Sequence, residues 1–64
     1  PGNHELLFWA GLGTAQAGDF EAGLARVRAA IELQPAWRAL LPRLPADLAP
    51  SAPAVLAKLD GGGA

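Results

Sequence analysis

Residues 18–35 read GDFEAGLARVRAAIELQP. This stretch opens on two turn residues, continues through helix-compatible positions and stops at a proline. Phe20, Leu24, Val27 and Ile31 recur at steps of four, three and four, which places them on one face of a helix with about 3.6 residues per turn. That face predicts a core. Gly23 and Ala30 lie beside the stripe and would let another backbone come close, while Glu21, Arg26, Arg28 and Glu32 are left for solvent. The Arg28 and Glu32 pair has helical i, i+4 spacing, which contributes a few tenths of a kcal/mol at most.

Toward the N-terminus, residues 4–17 are good helix formers preceded by Asn3, a favoured N-cap type, with Glu5 in the first turn where the helix dipole favours negative charge. Leu6, Leu7, Phe8, Trp9, Ala10 and Leu12 nearly surround this first helix, so protein should cover more than one of its faces. Gly18 follows where a left-handed C-terminal residue is most easily tolerated, and Asp19 can cap the next helix at once. Two helices joined by so tight a turn are antiparallel neighbours.

Toward the C-terminus, AWRALLPRLP carries Trp37, Leu40, Leu41 and Leu44, but Pro42 removes a backbone donor and disfavours helix at the residue before it. A short, broken helix is expected. ADLAPSAP then reads as a proline-punctuated loop. In SAPAVLAKLD, Ser51 is a cap candidate, Pro53 sits in a first turn, and Val55, Leu56 and Leu59 form a small apolar patch, which together predict a final short helix. The organisation expected is a helical unit over 1–45, a loop and short helix over 46–60, and a flexible glycine-rich tail over 61–64. The fold class is therefore all-α: an antiparallel helix pair followed by a short C-terminal capping helix.

The 64 residues make one small domain, and a chain of this size buries only about 60% of the surface its unfolded form exposes. Without cysteine and without a His, Asp or Glu cluster, neither a disulfide nor a structural metal is expected to reinforce it. Helix packing must hold it together. Five basic and six acidic residues, net charge -1, are scattered without a basic stripe, which argues against nucleic acid as a partner. No apolar run approaches the roughly 18 residues of a membrane span, and ELLFWAGLG lacks the basic flank of a signal peptide. A membrane partner is not expected, and cysteine usage leans weakly to the cytoplasm. The start on Pro1 and the GGGA end suggest a piece of a longer protein, and heavy use of Ala, Gly, Pro, Leu and Arg suits a GC-rich bacterial gene.

Pro1 and Pro35 stand 34 residues apart, a period found in helical repeat arrays. Sliding the chain by that interval lays Pro1, His4, Leu6 and Leu7 over Pro35, Arg38, Leu40 and Leu41, until Phe8 meets Pro42. On these residues the chain resembles the tetratricopeptide repeat family, with residues 4–37 filling one unit. Gly11 matches the glycine of the family's first helix, Gly18, Asp19 and Phe20 its turn, Ala30 its last small residue and Pro35 its terminating proline. Leu7, Ala10 and Thr14 stand where the family prefers Trp, Leu and Tyr, while Gly23 replaces an alanine and Val27 an aromatic.

A second resemblance runs from Glu5 to Pro45 and ends in W-x-x-L-x-x-R-L-P at Trp37, Leu40, Arg43, Leu44 and Pro45. It is similar to the C-terminal end of a family of uncharacterised bacterial proteins with an N-terminal domain like the Ntn hydrolases. It covers none of the catalytic domain. That resemblance implies an accessory domain packed on an enzyme, with peptidoglycan as a suggested ligand, although no aromatic platform with paired polar groups supports the ligand independently.

Nothing in the chain carries catalysis, a cofactor or a metal. GLGTAQ has Gln16 where a dinucleotide fingerprint needs its third glycine, and no strand precedes Gly11. Its glycines read as close-packing positions. His4 is the only histidine and lacks a partner of fixed spacing, so it reads as a first-turn surface residue. Ser51, the only serine, has no paired base. The tetratricopeptide resemblance puts Phe8, Leu12, Ala15 and Gln16 on a concave partner surface and points Trp9 elsewhere. The competing explanation is that Phe8 and Trp9 pack on a preceding helix or on the chain's own C-terminal segment.

The function expected is a non-catalytic module for protein-protein interaction or assembly, whose partner is another protein, a peptide or the rest of a parent chain. Under the assembly reading the isolated chain should self-associate weakly. The first helix offers no Lys, Arg or Asn after Asn3 for clamping a charged peptide, which leaves apolar partners.

Overall fold

A computed structural model describes residues 3–61. Helix α1 spans Asn3–Gln16, α2 Phe20–Leu33 and α3 Ala36–Leu40, which passes into a 3-10 turn over Leu41–Arg43; α4 spans Ala52–Gly61. Helices α1 and α2 form a hairpin, and the C-terminal elements fold back onto it. The fold is all-α. Pro1, and with it one end of the 34-residue offset, lies outside the described residues, as do residues 62–64 of the expected tail. Gly61 belongs to α4 rather than to that tail.

The turn between α1 and α2 is built as its residues predict. The Asp19 N–H donates to the Thr14 carbonyl at 3.1 Å and the Gly18 N–H to the Ala15 carbonyl at 3.2 Å, the paired bonds of a Schellman motif. Gly18 occupies its left-handed position at φ 118°. Asp19 then caps α2 by accepting from the Ala22 N–H at 3.2 Å, so one residue closes the first helix and starts the second.

Each hairpin helix buries one stripe. Phe8, Gly11, Leu12 and Ala15 of α1 meet Gly23, Leu24, Val27 and Ala30 of α2. The stripe on α2 is turned toward its small residues relative to the predicted Phe20, Leu24, Val27 and Ile31 face: Phe20 and Ile31 are half-buried at its margin. Close approach at Gly11 and Gly23 explains the rotation, since the backbones meet where side chains are absent.

Proline shapes the remainder. Gln34 is extended at φ -146°, ψ 95°, ending α2, where the following Pro35 disfavours helical geometry. The next helix is short and broken as expected, since α3 stops at Leu40, but Pro42 does not force the residue before it out of helical angles. Leu41 keeps helical angles, φ -49° and ψ -50°, and the chain tightens into the 3-10 turn through Pro42, a geometry that loses one donor yet leaves Leu41 buried. Pro45 accepts from the Leu48 and Ala49 N–H groups at 3.0 and 2.9 Å, turning the chain toward α4. Phe8, Val27, Leu41 and Val55 are the largest fully buried side chains. They come from α1, α2, the 3-10 turn and α4, so the core is centred where all four meet.

Candidate interaction surfaces

The surface assigned to a partner on sequence grounds is covered by the chain itself. Phe8 is 0% exposed and Leu12 4%, Ala15 is buried, and only Gln16 of the four expected residues is open to solvent. Trp37 stacks on Phe8 with ring centroids 4.4 Å apart and 17° between planes. The Ser51 hydroxyl donates to the Leu12 carbonyl at 2.9 Å, fixing the start of α4 against α1. Ser51 is thus a tie between helices in addition to opening α4 with its backbone carbonyl, which accepts from the Val55 N–H at 3.0 Å. Of the two explanations open for Phe8, packing on the C-terminal segment is the one observed.

His4 is also more than a surface residue. It is half-buried, and its Nδ1 accepts from the Trp37 Nε1–H at 2.9 Å. This requires the neutral tautomer with its proton on Nε2. Trp9 stays 38% exposed and sets its ring edgewise to Phe8 at 5.1 Å and to Trp37 at 6.3 Å, the geometry aromatic quadrupoles favour. Trp37, Leu40 and Leu44 of the W-x-x-L-x-x-R-L-P segment pack against the core, while Arg43 and Pro45 are exposed. The apolar residues of that segment are thus part of the packing.

Two concavities stand out among the described residues. One, of about 380 Å³, is lined by His4, Gln34, Ala36, Trp37 and Leu40. The other, of about 430 Å³, is lined by Asn3, Leu6, Leu7, Ala10 and Arg26. Leu6 is 72% exposed at the second, whose wall is completed by Arg26 as it donates to the Thr14 hydroxyl at 2.6 Å. Sequence reasoning missed this groove. Leu6, Leu7 and Ala10 were visible as surplus apolar residues on α1, but which side stays bare depends on where residues 37–56 fold.

Among the described residues no polar or charged side chain is buried, and no group of His, Asp and Glu could hold a metal ion. No helix among them is long and apolar enough to cross a membrane. The one ion pair found among them, Arg38 with Asp60, joins α3 to α4 at the surface, where such pairs contribute little.

These features define a class of structure, an all-α hairpin covered on one side by its own C-terminal helices. The chain matches no protein-family model, and no curated protein and no solved structure shows significant similarity to it.

Proposed function

We propose that the chain is a non-catalytic, tetratricopeptide-like helical module that assembles with another protein, or with the rest of a longer parent chain, through the Leu6, Leu7 and Ala10 face of α1. The observation that carries this reading is the exposed Leu6 beside an unfilled, mainly apolar groove. Burying such a side chain is worth about 1.5–3 kcal/mol, a gain the isolated chain does not collect. The opposite side of the hairpin is closed by Trp37, Leu41 and Val55, so the module acts as an end-piece that accepts a neighbour on one side. The resemblance over residues 4–37 supports the same arrangement, in which helix pairs stack side by side.

Sedimentation equilibrium of the wild-type chain and of Leu6→Glu tests the reading. Weak association of the wild type, lost in Leu6→Glu with an unchanged circular dichroism spectrum, is the expected result. Association that persists unaltered in the variant would assign it to another surface.

A further inference from the structure

We propose that His4 and Trp37 form a pH-sensitive latch, which holds α3 on α1 while the imidazole is neutral and releases it when the imidazole takes a second proton. The hydrogen bond runs from Trp37 Nε1 to His4 Nδ1 at 2.9 Å. Neutral imidazole has one accepting nitrogen, and an imidazolium has donors at both. Protonation therefore turns an acceptor facing an indole N–H into a second donor. The bond and the charge exclude one another.

Two details make the conflict difficult to relieve in place. The indole presents its N–H edge to His4, with ring centroids 5.7 Å apart and planes tilted by 57°, and that edge is the positive rim of the aromatic quadrupole. The cation would thus meet the repulsive edge of Trp37 instead of the face that attracts cations. Trp37 is also held by its stack on Phe8, so the indole cannot turn without opening the aromatic packing between α1 and α3.

The charged neighbours do not substitute for the bond. On α1, Glu5 follows His4 on the exposed surface. On α3, Arg38 is engaged by Asp60 of α4. The end of α2 brings uncharged Gln34 into the groove that His4 and Trp37 line. The latch is closed while the imidazole is neutral and open once it carries a second proton. Opening reshapes the groove lined by His4, Gln34, Ala36, Trp37 and Leu40, leaving the α1 to α2 contact intact.

The test follows the two indole N–H signals by NMR from about pH 8 to about pH 5, the range over which imidazole ordinarily titrates. The Trp37 signal should move to the position of a free indole in step with the His4 ring protons, while the Trp9 signal stays in place. In His4→Gln, whose amide oxygen accepts without titrating, the Trp37 signal should stay fixed. In His4→Phe, which lacks an acceptor, it should hold the free position at every pH. A Trp37 signal that ignores the titration of His4, or one that moves equally in His4→Gln, would overturn the latch. So would acid unfolding of wild type and His4→Gln together, tracked by circular dichroism.

Discussion

Gly11 and Gly23 face each other across the hairpin at a separation that admits no side chain on either. A Cβ at Gly23 would lie 2.5 Å from the Ala15 nitrogen and 2.7 Å from the Ala15 Cβ, and it would also overlap the Gly11 carbonyl oxygen. A Cβ at Gly11 would lie 2.8 Å from the Gly23 oxygen and 2.9 Å from Val27 Cγ2. Both sets include backbone atoms, which cannot rotate away. The two helices must separate to admit even one methyl group.

Gly23→Ala should therefore destabilise the domain by about 2 kcal/mol, overpacking outweighing the roughly 1 kcal/mol that alanine offers over glycine within a helix. Gly13 supplies the contrast, because nothing lies within 4 Å of a Cβ built there. Gly13→Ala should stabilise by about 0.5–1 kcal/mol. Urea denaturation of the pair reads both signs, and a stabilising Gly23→Ala would mean the helices are not in this contact.

Gly18 separates strain from crowding. Its φ of 118° suits glycine alone, yet a Cβ there would meet no atom within 4 Å. Gly18→Val should cost about 1–3 kcal/mol through backbone strain, a large share of the stability of so small a domain. Thermal unfolding checks it, and an unchanged curve would mean that the turn is built otherwise.

Val55 tests whether α4 belongs to the core. It is 0% exposed, on a helix that the local sequence marks by Ser51, Pro53 and a few apolar residues. Val55→Ala should cost about 2 kcal/mol from lost burial and the cavity left behind. Exposed Leu48→Ala on the preceding loop should change stability by less than about 0.5 kcal/mol. Equal effects in the two urea curves would detach α4 from the core.

The hairpin was legible in the sequence because its determinants are local. Gly18 and Asp19 are a turn whichever way the rest of the chain folds, and Pro35 ends α2 through its effect on Gln34. The broken third helix and the short fourth were legible for the same reason. The cover over α1 was not. Phe8 and Leu12 became core because Trp37 and Ser51 reach them from distant points in the chain, and no periodicity in residues 4–17 says which apolar side receives that cover. The hydrogen bond of His4 to Trp37 was hidden likewise, since the two are 33 residues apart. Only Leu41 went against expectation at Pro42, since it keeps helical angles before the proline as the chain tightens into the 3-10 turn.

Helix α1 has a closed side at Phe8 and Leu12 and an open side at Leu6 and Ala10, with half-buried Leu7 at its margin. Methyl NMR spectra recorded over a dilution series, and again with an added apolar peptide, test it most directly. The methyl signals of Leu6, Leu7 and Ala10 should shift in at least one series while those of Leu12 and the ring signals of Phe8 remain in place. Shifts confined to Leu12 and Phe8, or no response at Leu6, Leu7 and Ala10 in either series, would contradict it.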